Sequence, residues 1–534
     1  MRFISCLTYF ETNAKISYSS SNIKGKVVII MSSNKLKTGA FLSYVVLTVN
    51  SLVGLLYVPY MLRMMGKSEF GLYSLVASVI GYLTLLDLGF GNAIIRYTAK
   101  FRAEGKKKEQ FSMFGMFLVL YSIIGIIVFL LGMVLYYSTD SLFGNTMNLE
   151  ELEKAKVLIL LMIFNLAVTF PLSIFGSIIS GYEEFVFQKI LQILRIILNT
   201  ILMVVILKLG YKAIGMIVVV TILNISTLVI NYLYCIYRLN IKVYFSKFNY
   251  VFFKEIGLYS FYIFLNVIMD KIYWGTGQFV LGTIIGTAAV AVFAVAIQLQ
   301  QIYMSFSTAI SGVFLPKVTA MIVNEESKKI ISDLFIRTGR IQYIIMSFIL
   351  TSFIIFGKQF ISLWAGDGYE DVYVISLMFF IPLLVPLIQN LGITILQARN
   401  EMKFRSLLYI VLAVSSLVMQ IPLARKYGAV GCAIAISIAL ILGQGIGMNI
   451  YYYYKQNIDI PKFWKEIGKM SIIPILLGIL SHFLLIDLTL VSVLDFIIAV
   501  FGFTLIYFLC FWFFSMNEYE RQLLKKPVLS FLKK

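Results

Sequence analysis

Gln188, Gln192, Arg195 and Asn199 follow one another at spacings of four, three and four inside an apolar run, so on a helix they form one polar stripe three turns long. The guanidinium in that stripe offers five donors in a planar fork, which suits it to pair with phosphate or carboxylate oxygens. Asn266 stands one turn before the adjacent pair Asp270 and Lys271, and Gln298, Gln301, Ser305 and Thr308 make a second, neutral stripe. Two readings are open for these residues: hydrogen bonds that hold neighbouring helices together, or the lining of a polar cavity. For Asp270 and Lys271 the first reading is an ion pair within their own helix or to a neighbour. Arg195 has no acid on its own run, which favours the cavity, whereas Asp87 reads as a partner of Arg96.

Other chemistry is poorly supported. Gly66-Lys67-Ser68 ends like a phosphate-binding loop, but that motif needs a glycine where this chain has Met61. Cys6, Cys235, Cys432 and Cys510 lie far apart with His482 as the lone histidine, so neither a disulfide framework nor a zinc site is expected. No nucleophile constellation, metal or cofactor is expected.

The elements that position these groups are membrane spans. The chain of 534 residues is 60% hydrophobic and only 13% charged, well outside the range of water-soluble proteins. About fourteen apolar runs are long enough to cross a bilayer, the first near 38–62 and the last near 492–515. The net charge of +19 would suit a nucleic-acid partner, but the positions of the charges exclude one. Of 45 Lys and Arg, 34 fall on the N-terminal tail, the even-numbered loops and the C-terminal tail, 9 on the odd-numbered loops, and two, Arg195 and Lys271, inside spans. By the positive-inside rule the even side is cytoplasmic and so are both termini. The first thirty residues carry charges and no pattern, and Met31 is an expected natural start.

Two blocks of six spans resemble each other. Met64-Met65-Gly66 followed by Phe70-Gly71-Leu72-Tyr73 parallels Ile284-Ile285-Gly286 followed by Val290-Ala291-Val292-Phe293, and Ala213-Ile214-Gly215 parallels Ala429-Val430-Gly431. Because each block has an even number of spans, both enter the membrane in the same sense, so the repeats are parallel. The expected fold is therefore all-α, with two parallel six-helix repeats plus two extra helices. The expected divisions are a tail at 1–37, an N-lobe at 38–238, a C-lobe at 256–453, the extra pair at 467–515 and a tail at 516–534.

The run Gly66-Lys67-Ser68-Glu69-Phe70-Gly71-Leu72-Tyr73, the segment Leu86-Asp87-Leu88-Gly89-Phe90-Gly91 leading into Arg96-Tyr97, and Leu363-Trp364-Ala365-Gly366 with Tyr369 resemble the polysaccharide transporter family. That family includes the Wzx-type O-antigen and capsule flippases and lies within the multidrug/oligosaccharidyl-lipid/polysaccharide exporter superfamily. The resemblance implies a non-enzymatic flippase in the bacterial cytoplasmic (inner) membrane. Its cargo would be an undecaprenyl diphosphate-linked oligosaccharide for O-antigen, capsule or a similar surface polysaccharide, moved by alternating access. The two extra helices would form an apolar groove for the polyprenyl tail. Membrane lipids, a coupling ion (sodium or proton) and other polysaccharide assembly proteins are further partners it implies. Three functions compete with this one. A lipid II flippase shares the fourteen spans, a drug exporter of the superfamily usually stops at twelve, and a polymerase or ligase needs a larger outer loop than residues 138–155.

A diphosphate crossing a bilayer needs fixed cations along its path. Arg195, about two turns in from the cytoplasmic end of span five, and Lys271, near mid-membrane in the other lobe, are the expected pair. Asp270, Gln192, Asn199, Asn266, Gln298 and Gln301 complete the expected cavity lining.

Overall fold

The computed structural model describes residues 23–245, 250–311, 326–399, 401–485 and 493–522, with a few positions between 312 and 325. Most of the expected N-terminal tail and the end of the C-terminal tail lie outside these residues, although Met31 falls within the first helix. The described secondary structure is helical throughout. In chain order the N-lobe holds α1 (Ile23–Met65), α2 (Lys67–Leu83), α3 (Phe90–Ala103), α4 (Lys107–Phe143), α5 (Leu149–Gly181), α6 (Phe185–Lys208) and α7 (Lys212–Tyr237). The C-lobe holds α8 (Tyr250–Ile284), α9 (Thr287–Ser311), α10 (Lys328–Ala365), α11 (Asp371–Ile388), α12 (Leu391–Arg399), α13 (Lys403–Leu440) and α14 (Met448–Tyr454). The extra pair is α15 (Ile460–Leu485) and α16 (Val493–Phe514).

Among the described residues, 11 helical stretches are long and apolar enough to cross a membrane. One of them, Lys403–Tyr454, is two spans joined at Gly428, where a φ of 60° turns the chain in the left-handed region that glycine adopts without strain. Helices α8, with 35 residues, and α15, with 26, are also of membrane length, which accounts for the fourteen expected spans. Their outward faces are apolar: Ile126, Leu130 and Val134 on α4 and Ile497, Ile498 and Phe501 on α16 are all exposed, a surface that only hydrocarbon covers without penalty. The chain is an all-α, multi-pass membrane protein.

Two spans expected to be continuous are broken. The second is α2 and α3, separated by a 3-10 turn at Thr84–Asp87 and by left-handed Leu88 (φ 50°) and Gly89 (φ 76°). At this break the Tyr121 hydroxyl of α4 donates to the Asp87 carboxylate at 2.6 Å, so the acid for which the sequence suggests Arg96 is held by a tyrosine of the next span. The tenth is α11 and α12, interrupted at Gln389 and Asn390. There the freed side chains are satisfied across the lobe, Gln389 by Asn449 at 2.8 Å and Asn390 by Ser307 at 3.2 Å. The twelfth span carries a π segment at Ile441–Gly447.

The internal repeat is a repeat of packing. In the N-lobe α1 lies against α6, α4 against α5 and α5 against α7; in the C-lobe α8 lies against α13, α10 against α11 and α11 against α13. Helix α13 carries the eleventh span and the start of the twelfth: Gln420 in its first half meets Thr276 of α8, and Ser437 in its second donates to the Met378 carbonyl of α11, so by span number the C-lobe contains the N-lobe's pairings. The lobes meet where α2 packs on α8 and α9. The contact is close because Gly71 has no side chain: a Cβ there would sit 1.9 Å from the carbonyl oxygen of Thr287. Gly71→Ala is expected to force the two helices apart at a cost of about 1–3 kcal/mol. A melting curve of the purified variant in detergent checks this, and unchanged stability would mean the seam has slack.

The extra pair is fastened to the C-lobe. Helix α10 packs against both α15 and α16, and at that junction Arg340, 7% exposed, is held by Glu520 at 2.6 Å and Glu466 at 2.7 Å. It also donates to the Ser515 carbonyl at 3.0 Å. Sequence reasoning counts Arg340 only as one more basic residue beside an even-numbered loop.

Candidate functional site: a cationic cavity beside the lobe interface

Helix α6 is a run of Leu, Ile and Val in which Gln188, Gln192, Arg195 and Asn199 recur at the spacing of one face. The structure splits that polar stripe into two jobs. Gln188 is interhelical glue: its amide donates to the Gly176 carbonyl at 2.7 Å and accepts from Ser180 at 2.9 Å, tying α6 to α5. Gln192, Arg195 and Asn199 line a cavity of about 540 Å³ instead. Ser43, Asn50 and Ser51 of α1 face them, and Ser305 of α9 closes the cavity from the C-lobe. Among the described residues, the lining holds one cation, several neutral amides and hydroxyls, and no carboxylate. Such a site can take an anion together with a hydrogen-bonding neutral group, and it repels nothing negative.

Of the remaining expected residues, only Ser305, from the second stripe, is in the described lining. Gln301 is exposed, Gln298 is half-buried, and Thr308 bonds back to carbonyls of its own helix. Lys271 of α8 is exposed and reaches across the lobe interface, where its Nζ would lie 3.5 Å from a Cβ on Gly81 of α2. Beside it, Asp270 is exposed, and Arg405 on α13 and Lys271 are the positive charges that act on it. The side chain of Asn266 lies outside the described residues. Among the described residues no cluster of His, Cys, Asp and Glu could hold a metal ion.

A second hollow of about 360 Å³ lies along the same two helices, lined by Val49, Leu52, Val53, Leu56, Tyr57, Tyr60, Thr200 and Val204. Among the described residues it carries no ionisable acid or base other than the two phenols, so one helix pair presents a cationic cavity and an apolar groove side by side.

The polar cavity lies toward the even-loop end of α1 and α6. At the opposite, odd-loop end the lobes are bonded together. Arg63 at the end of α1 donates to the Leu363 carbonyl at 2.8 Å, the Trp364 indole donates to the Leu55 carbonyl at 2.7 Å, and Thr146 donates to the Gly282 carbonyl at 2.7 Å. Asn148 and Glu151 form a reciprocal cap on α5, at 2.8 and 3.1 Å, and Glu151 also accepts from Thr287 of the C-lobe at 2.9 Å. Halfway along the seam Ser78 donates to the Gly275 carbonyl at 3.0 Å.

Comparison with known proteins agrees with this architecture. The solved structure described as "Lipid II flippase MurJ, inward closed conformation" is 17% identical, with 90% of this chain and 99% of that chain covered and a TM-score of 0.64. An inward-facing multidrug resistance MATE family transporter of the MOP superfamily is 16% identical over 79% of this chain and 99% of that one, with a TM-score of 0.59. A mutant form of the Vibrio cholerae MATE transporter VcmN is 15% identical over 80% of this chain and 99% of that one, with a TM-score of 0.54. At these identities the likeness is one of fold. No curated protein matches the chain. The family described as "Polysaccharide biosynthesis protein" matches residues 36–322, more than half of the chain and the whole of the cavity-lining stretch from Ser43 to Ser305, and the chain belongs to that family.

Proposed function

We propose that the protein is a flippase that carries a polyprenyl diphosphate-linked oligosaccharide across the cytoplasmic membrane for surface polysaccharide assembly. The observation that carries this reading is the Arg195 cavity: one guanidinium among amides and hydroxyls, without an acid among the described residues, in a family of polysaccharide biosynthesis proteins. The guanidinium pairs with a diphosphate oxygen, and Gln192, Asn199 and Asn50 exchange hydrogen bonds with the sugar. Lys271, on the C-lobe side of the interface, takes over the headgroup as the lobes rock. The isoprenoid tail stays in hydrocarbon, for which the apolar groove beside the cavity and the outward faces of α15 and α16 offer surface. A drug exporter of the same fold is the weaker reading, because cationic drugs gain nothing from a cavity whose one charge is positive.

Deleting the gene is the direct test: the lipid-linked oligosaccharide should accumulate in the inner leaflet while surface polysaccharide disappears. Normal surface polysaccharide in the deletion strain would overturn the proposal.

The direction of transport requires the even-loop end to be cytoplasmic, as the 34 to 9 division of basic residues indicates. Single cysteines at Asp367 and at Lys107, probed on intact cells with an impermeant thiol reagent, should label only at 367. Labelling at 107 alone would reverse the orientation.

A further inference from the structure

Two segments 300 residues apart in the sequence meet at the odd-loop end. Gly66 separates α1 from α2, whose first two residues are Lys67 and Ser68, and Leu363-Trp364-Ala365-Gly366, with Tyr369, closes α10 and leads into α11. The ammonium of Lys67 donates to the Gly368 carbonyl and stands 5.6 Å from the centre of the Tyr369 ring. The turn that receives it is built beforehand. Gly366 (φ 86°) and Gly368 (φ 83°) are both left-handed, which aims the carbonyl, and the Glu370 carboxylate accepts from the Gly368 amide at 2.8 Å. That amide, with a smaller contribution from the Lys67 charge, holds the Glu370 carboxyl below the usual carboxylate range, so the turn keeps its closing bond and a negative charge at neutral pH.

We propose that Lys67 and the Gly366–Glu370 turn are a latch between the lobes, a lysine plug in a socket of carbonyl and aromatic ring that the Glu370 carboxylate braces, which holds the outer face shut and must release before cargo can leave. The placement of this face on the outside rests on the orientation given above. The socket is polar and at the surface, so it is strong enough to bias the closed state and weak enough to be broken and remade in each cycle. Arg63 on Leu363 and Trp364 on Leu55 flank it, and the Ser68–Thr287 contact, 3.3 Å between hydroxyl oxygens, ties the next residue of the plug to α9.

Two measurements test the latch. In the first, Ser78→Cys, on the seam between α2 and α8, is labelled from outside with an impermeant maleimide. Adding Lys67→Ala should speed labelling about tenfold, since a hydrogen bond to a charged group is lost only from the closed state. In the second, Ser68→Cys with Thr287→Cys is oxidised to a disulfide across the lobes, which should stop export of surface polysaccharide until a reductant is added. Unchanged labelling in the Lys67→Ala protein, with its accumulation normal, would overturn the latch, and so would continued export by fully cross-linked protein. The labelling is read without cargo, so its failure is separable from failure of the transport reading.

Discussion

Arg195→Ala is expected to abolish surface polysaccharide while the protein still accumulates and inserts. A charge near the centre of a span costs about 2.5–3.5 kcal/mol on insertion scales. A diphosphate entering the cavity without its cation would therefore lose about a hundredfold in occupancy. Among the described residues the lining has no second cation to replace it, because the other polar groups in contact with the cavity are neutral. Arg195→Lys should retain part of the activity, since charge survives but the bidentate fork does not. Lys271→Ala should fail in the same way if the headgroup passes between the lobes. Immunoblots of the membrane fraction with surface polysaccharide gels separate loss of transport from loss of protein. Normal export by both alanine variants would remove the headgroup assignment and leave Arg195 a structural residue.

The largest effect on stability is expected at Arg340. Its guanidinium is almost fully enclosed and is shared by Glu520, 3% exposed, and Glu466, so Arg340→Ala leaves Glu520 buried without its cation and Glu466 with only the exposed Lys469. Breaking a buried pair from one side costs about 3–5 kcal/mol. The lesion should loosen the end of α16 from α10 before the lobes themselves unfold, because no other ion pair among the described residues joins Glu520 to the C-lobe, whereas α15 keeps Lys462 on Asp333. Pairing Arg340→Met with Glu520→Gln should recover much of the loss, since the charge is then removed from both sides. Denaturant titration in detergent, followed by the accessibility of Cys510 on α16, measures both variants. An Arg340→Ala protein as stable as its parent would show that the cluster is hydrated and loosely held.

The membrane fold was legible because hydrocarbon imposes a simple rule: each span must be apolar for about twenty residues and must satisfy its own backbone. The run from Lys107 to Phe143 reads as a span at sight, and the parallel repeat could be read from Met64-Met65-Gly66 and its counterpart Ile284-Ile285-Gly286. The breaks were not legible. Thr84–Gly89 and Gln389–Asn390 lie inside apolar stretches, and what interrupts them is tertiary: Tyr121 takes Asp87, and Asn449 and Ser307 take the freed amides.

The candidate site was half legible. A polar stripe fixes which side chains share a face but not what that face meets, so Gln188 could not be separated from Gln192, Arg195 and Asn199 by spacing. The α1 side of the cavity, Ser43, Asn50 and Ser51, carries no signal of its own, because small polar residues in a span are equally suited to helix packing. Lys67 and Arg340 were hidden for another reason. Cations near span ends are counted as topology signals, and only the folded chain shows that one plugs a turn 301 positions away and the other ties down the final helix pair.

The central claim is that the protein moves a lipid whose headgroup carries phosphate charge, with Arg195 as its first partner. Its most direct test is transport by the purified protein in liposomes. The vesicles would be loaded with a polyprenyl diphosphate-linked oligosaccharide, and its arrival on the opposite leaflet read by an impermeant sugar-modifying enzyme. The account predicts that the wild-type protein moves this lipid, that Arg195→Ala does not, and that a polyprenyl-linked sugar without phosphate is a poor cargo for both. Transport of the diphosphate lipid by Arg195→Ala at the wild-type rate, or equal transport of the uncharged lipid by the wild-type protein, would contradict it.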